Sequence, residues 1–337
     1  LFQQTYQWMQ VAVVLTSTTL YAAAAVAVAA RLFGQEAVMF ADSRSYRMLL
    51  LRRYFEPADT PTASQSLLLA ALLFPASFYA QSLVVGASID RFIRTMPALA
   101  GVQFFGLFVL LPLLVCWYLR INPARTFRLT LPPVRAWAGA LLVGLSSWAI
   151  AQELFALQCR VIRPSQALLE FSRQIESQLA SAPLWAVVLL LAVIPGITEE
   201  FLFRGFVLSG VSQGLRKWPA ILVVAMVFGV FHFVVDRIPV SAMMGVVMGY
   251  ICWQSRSILP GMLAHAMHNA MALLLPKLPA VHRWIGETRA DTGYGQLLPL
   301  RVIGPALGLL AVGLLVLASI RTRESGRPVP VASSPRH

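Results

Sequence analysis

The chain has 337 residues, 58% of them hydrophobic and only 12% charged, about half the charge of a typical soluble domain. With a mean hydropathy of +0.70 there are too few charges to cover so apolar a chain, which excludes soluble globular, disordered and disulfide-stapled classes. The apolar residues run in continuous blocks rather than alternating, which excludes a transmembrane barrel. An all-α polytopic membrane protein remains.

A helix crossing about 30 Å of hydrocarbon needs roughly 20 apolar residues, and about nine runs approach that length. They are Val11–Ala30, Leu67–Ile89, Ala98–Leu119, Ala136–Gln152, Leu184–Val211, Ala220–Val235, Val240–Cys252, Ile258–Leu275 and Val302–Ile320. The sixth and seventh are short and read as a hairpin, because only Asp236-Arg237-Ile238-Pro239 separates them. Gln152–Pro183 is too polar to span and reads as a surface helix. Residues 321–337, rich in Pro, Ser and Arg, read as a disordered tail. The chain starts on Leu1, and its first residues lack a basic start and a cleavage site. They are therefore not a signal peptide, and a piece of a longer reading frame is expected.

The net charge of +13 would point to nucleic acid in a soluble protein. Here its distribution matters more. The side reached after the first span collects sixteen basic residues against five acids, among them Arg52, Arg53, Arg120, Arg125, Arg128 and Arg135. The other side holds ten against seven. The positive-inside rule makes the first side cytoplasmic, with the amino terminus outside and the tail inside. The basic excess thus reports topology and contact with anionic lipid, and no nucleic-acid partner is expected. Cys116 and Cys252 sit in apolar runs and Cys159 stands alone in a loop, so no disulfide framework is read.

The remaining charges lie inside the fifth span, which carries Thr198-Glu199-Glu200-Phe201-Leu202-Phe203-Arg204-Gly205. Ionisable groups in hydrocarbon are costly and mark function by default. Glu200 and Arg204, four residues apart, share a helical face and can pair. That pair alone would be a packing device. Glu199 points about 100° away from Glu200, and one arginine does not neutralise two carboxylates. The sixth span carries Phe228 and His232, and the eighth carries His265, His268 and Asn269. His265 and Asn269 share a face, while His268 reads as a supporting group or a helix–helix hydrogen bond.

Depth joins these residues. At 1.5 Å per residue Glu199 lies ~22 Å from the outer face, and so ~8 Å from the cytoplasmic face. Entering from the cytoplasm, His265 is ~10 Å deep, Asn269 ~16 Å and His232 ~18 Å. With span ends placed to within several residues, all four fall in one layer of the cytoplasmic half and read as one site. A glutamate and a histidine can position and deprotonate a water, and a histidine with an asparagine amide can donate to an oxyanion. These are the parts for amide hydrolysis without a covalent intermediate. Zinc competes with this reading, since Glu199, His232 and His265 could supply three ligands. The zincin spacing His-Glu-x-x-His is absent, so no cofactor is preferred.

Glu199-Glu200-x-x-x-Arg204, then Phe228-x-x-x-His232, then His265-x-x-x-Asn269 on three successive apolar segments resembles the CPBP (CAAX protease and bacteriocin-processing, Abi) family of intramembrane proteases. That family includes CAAX-prenyl endopeptidases, bacteriocin-processing and immunity proteins, and the Ras-converting enzyme. The resemblance implies a conical intramembrane cavity open to the cytoplasm and a membrane-associated or lipidated protein substrate. It implies Glu199 as general base, His232 helping to hold the water, and His265 with Asn269 stabilising the oxyanion. Glu200, Arg204 and Phe228 are then supporting residues. It implies a plasma-membrane protein of a bacterium.

A second resemblance concerns the amino end. Val11–Ala30 followed by Arg31 to Phe40 looks like the end of an ABC-2-type permease, which would make an ABC transporter a partner. The expected organisation has a first helix and cytoplasmic loop over residues 1–65, this permease remnant. Accessory helices with an extracytoplasmic loop follow over 66–183, and the catalytic core over 184–275. A loop with the last helix occupies 276–320, and the tail 321–337. The rival reading is a non-catalytic scaffold, immunity protein or exporter subunit whose buried polar residues only lock helices. An unpaired Glu199 has little place in it.

Overall fold

In hydrocarbon every backbone N–H and C=O must find its partner within the protein, so the apolar runs have helix as their conformation. The computed structural model describes residues 52–82, 100–164, 182–275 and 296–320, with scattered positions within 11–22, at 98, within 166–173 and at 290–291. Among them are eight principal helices. These are α1 (Ala63–Ser82), α2 (Ala100–Tyr118), α3 (Val134–Val161) and α4 (Leu184–Val211). They are followed by α5 (Lys217–Val230), α6 (Ile238–Ser255), α7 (Leu259–Leu274) and α8 (Leu300–Ala318).

Among the described residues six helices are long and apolar enough to cross a membrane: α1 to α4, α6 with the turn before it, and α8. Leu72, Phe105, Leu114, Trp117 and Leu315 point outward from them and are exposed, as lipid-facing side chains are. The chain is an all-α, polytopic membrane protein. A two-residue antiparallel ladder, β1 (Ala290–Asp291) with β2 (Gln296–Leu297), precedes α8. The expected first span Val11–Ala30 falls largely outside the described residues, and the tail 321–337 wholly so.

Two expected boundaries differ. α3 does not end at Gln152 but continues to Val161, so the polar segment begins as the last turns of a helix. Its polar groups have partners there: Glu153 Oε2 accepts from the Leu298 backbone N–H (3.0 Å), and Gln158 Nε2 donates to Asp236 O (2.6 Å). α5 ends at Val230, so His232 stands in the turn that follows rather than on a helix. The turn closes through His232 N–H to Gly229 O (3.1 Å) and Phe233 N–H to Val230 O (3.1 Å), with Phe233 in the left-handed region at φ 55°.

α2 and α4 contain wide π-helical stretches, Ala100–Leu110 in the first, Leu189–Val193 and Phe201–Val207 in the second. Pro112 and Pro195 follow the first two. A proline ring clashes with the carbonyl four residues back and offers it no N–H, and a widened turn relieves both problems. The third stretch begins directly after Glu200, a location typical of functional sites.

α7 lies between α3 and α4, and the contacts are made through glycine, as small residues permit between membrane helices. A Cβ on Gly144 would lie 2.8 Å from Ala264 O, and one on Gly196 2.7 Å from the Ala266 backbone N. The turn from α6 into α7 is equally tight. Arg256 takes the left-handed conformation at φ 54° and Ser257 Oγ accepts from Leu259 N–H (3.2 Å). Pro260 then opens α7 with its φ already helical.

Substituting Gly196→Val should destabilise the protein by about 1–3 kcal/mol, the usual cost of overpacking. Gly308→Ala, at a position with nothing within 4 Å, should leave it unchanged. Thermal unfolding of the two variants in detergent measures both; equal midpoints would contradict the contact.

Candidate active site

Arg204 is completely buried, which in hydrocarbon requires partners for nearly every donor. Its Nη1 donates to Glu200 Oε1 at 2.8 Å, and its Nη2 to the carbonyl of Gly245 on α6 at 3.0 Å. Its Cζ lies 4.4 Å from the centroid of the Phe228 ring, a cation–π contact. Nε has no partner among the described residues. Four residues make just under one turn in the π-helical stretch that holds Arg204, so Glu200 and Arg204 stay on one face there as they would on an α-helix.

Glu200, also completely buried, receives more than the arginine. Its Oε1 accepts from His265 Nδ1 at 2.9 Å, and its Oε2 receives the Cys252 thiol at 3.8 Å, a weak donor. Space for this cluster comes from Gly261 on α7. A Cβ there would meet Cys252 Sγ at 2.6 Å and Glu200 Oε2 at 3.1 Å.

Glu199 has a different environment. Its side chain is 16% exposed where that of Glu200 is 0%, and its Oε2 lies 3.9 Å from His265 Nε2. The two carboxylates therefore approach opposite ends of one imidazole, although they leave the helix about 100° apart. Phe228 links the second histidine. Its ring packs edge-on against His232 (centroids 4.9 Å apart), His265 (5.8 Å) and Phe203 (5.2 Å). His232 Nδ1 lies 3.0 Å from the Phe228 carbonyl. A carbonyl only accepts, so Nδ1 carries the proton, and the neutral ring keeps its lone pair on Nε2.

The structure thus brings Glu199, Glu200, Arg204, Phe228, His232 and His265 into one cluster. Asn269 stands one turn beyond His265 on α7 and is partly buried. It makes no side-chain hydrogen bond among the described residues. His268 turns to α3, where its Nδ1 lies 2.9 Å from Ser147 Oγ. Ser147 and the Gly245 carbonyl went unread in the sequence, and Cys252 was legible only as a cysteine in an apolar run, because each arrives by packing from another helix. Among the described residues no three His, Cys, Asp or Glu side chains are grouped to hold a metal ion.

The loop between α2 and α3 supports this cluster from one side. Phe127, completely buried, stacks on Phe201 with centroids 3.8 Å apart and planes 16° from parallel. A Cβ on Gly205 would come within 2.6 Å of the same ring, and Ser209 Oγ donates to Thr126 O at 2.6 Å. The loop therefore seats against the π-helical stretch that carries Arg204.

Residues 181–271 match the family model described as Type II CAAX prenyl endopeptidase Rce1-like, a stretch that holds all three motifs. No curated protein and no solved structure matches the chain. The family match does not extend to residues 1–65, where the permease resemblance rests, and gives no support to an ABC transporter partner.

Removing Arg204 alone, as Arg204→Met, should cost about 3–5 kcal/mol because it strands a buried carboxylate. The double variant Glu200→Gln/Arg204→Met should be more stable than the sum of the two single changes implies. Equilibrium unfolding in detergent closes this cycle, and strict additivity would show that the two groups do not interact.

Proposed function

We propose that the chain, whose residues 181–271 match the Rce1-like, type II CAAX prenyl endopeptidase model, is an intramembrane peptidase of the CAAX-processing type that hydrolyses its substrate with a water activated by Glu199. The observation that supports this is the asymmetry of the two carboxylates. Glu200 is saturated by Arg204, His265 and Cys252, whereas Glu199 has no arginine partner among the described residues and retains exposure beside His265 Nε2.

In this reading the water donates one hydrogen to Glu199 and the other to the Nε2 lone pair of His232, leaving its oxygen free to attack. Attack on the scissile carbonyl carbon moves one proton to Glu199 and places negative charge on the carbonyl oxygen. His265 Nε2–H and the Asn269 amide donate to that oxyanion, a stabilisation worth most where water is excluded. Glu199 then returns the proton to the leaving amine as the C–N bond breaks. The substrate would be a membrane-associated or lipidated protein, reaching Glu199 from the cytoplasmic half of the membrane. No step passes through a metal in this reading.

Glu199→Gln should lower cleavage by about 10²–10⁴-fold, the usual contribution of a general base, while the thermal midpoint in detergent stays close to wild type. Proteolytic products in membranes with wild-type and Glu199→Gln chains provide the comparison, and persistence of the same products would refute the assignment. Stoichiometric zinc in the purified protein, lost together with activity on chelation, would instead replace the metal-free mechanism. Asn269→Ala should cost about 10²–10³ in kcat if its amide holds the oxyanion. A change confined to KM would remove it from that role.

A further inference from the structure

Two clefts flank the cytoplasmic end of α2, and no residue of the candidate active site lines either one. The first, about 340 Å³, is an apolar groove between α1 and α2, walled by Leu68 and Leu72 on one side and Leu114 and Tyr118 on the other. It runs from the level of Gln65 inward to that of Leu72, about 10 Å at helical rise. The second, about 600 Å³, lies at the membrane boundary and contains Arg52, Trp117 and Arg120.

Main-chain bonds fix the second cleft. Ala58, ahead of α1, pairs with Ile121, beyond α2: Ala58 N–H donates to Arg120 O (3.2 Å) and Asn122 N–H to Ala58 O (2.8 Å). The two arginines are thereby held on two segments tied to each other. Arg52 Nε donates to Trp117 O at 2.8 Å and its guanidinium lies 5.0 Å from the Trp117 ring centroid. Arg120 holds a left-handed backbone at φ 58° and donates Nη1 to Phe55 O at 3.1 Å. A non-glycine residue in that conformation is sustained by its surroundings. Each guanidinium has five N–H donors and commits one to these carbonyls. Asp59 is the one acid among the lining residues, and it is paired with Arg125.

The geometry points to a binding site for an anionic phospholipid of the cytoplasmic leaflet, its phosphate on Arg52 and Arg120 and an acyl chain in the groove between α1 and α2. Arginine forks match phosphate oxygens in pairs, and Trp117 sits at the depth where indoles settle in a bilayer. The charge of the cleft selects an anionic headgroup, and the adjoining groove selects a ligand with a hydrocarbon chain.

Native mass spectrometry of the full chain, released from micelles containing equal phosphatidylglycerol and phosphatidylcholine, tests this. The wild type should retain phosphatidylglycerol at least tenfold over phosphatidylcholine, and Arg52→Ala/Arg120→Ala should lose at least tenfold of that retention. Arg52→Lys/Arg120→Lys, which keeps the charge, should hold most of it. Arg135→Ala, an exposed cytoplasmic arginine outside the cleft, should remain within twofold of wild type. Leu72→Trp, which fills the groove and leaves both arginines in place, should reduce retention as well. Equal retention of the two lipids by wild type overturns the proposal. So does undiminished retention in the double alanine variant or in Leu72→Trp, or a loss in Arg135→Ala as large as in the double variant.

Discussion

A buried guanidinium is the constraint on which the site depends. Taking Arg204 out of water costs several kcal/mol, and the cost is offset only if its partners are held in place. Those partners come from three directions: Glu200 one turn earlier on α4, the Gly245 carbonyl on α6, and the Phe228 ring on α5. Each then fixes something else. Glu200 sets the orientation of His265, and Phe228 stands between His265 and His232. The first two sequence motifs thus supply two sides of one solvation shell around a single cation, and the third joins it through Glu200 and Phe228.

Support for that cation extends to both ends of α4. Toward its carboxyl end, Phe127 stacks on Phe201 and seats against Gly205, so the loop after α2 presses on the turn that carries Arg204. Toward the other end, Gly196 meets the backbone of α7 beside Ala266. A wide helical turn between two such contacts is held rather than free to relax.

Much of this was legible in the sequence, for identifiable reasons. Continuous apolar blocks can satisfy their backbone only as helices, so the helical elements followed from composition. Charges inside such a block are costly, so Glu199, Glu200 and Arg204 stood out, and their four-residue spacing gave the pair. The convergence of both glutamates on His265 was not legible. Helical geometry gives the direction in which a side chain leaves, and the neighbouring helix decides what it meets. The end of α5 was misjudged because Phe231-His232-Phe233 is apolar enough to continue a helix, and phenylalanine gives no hint of a left-handed backbone. The π-helical stretches left partial traces in Pro112 and Pro195, but the one after Glu200 has no proline to mark it.

The contact at Gly196 also bears on what a substrate must do. Two helices that touch backbone to backbone leave no side chain between them to rearrange, so the distance from Glu199 to His265 is a property of the scaffold. A gap of fixed width cannot admit an intact helix about 10 Å across, whose carbonyls are already engaged in its own hydrogen bonds. On the proposed role of Glu199, the scissile segment would have to arrive unwound, as a free tail or a frayed end. Under that proposal, selection among membrane peptides would fall first on how readily they uncoil, ahead of their side chains.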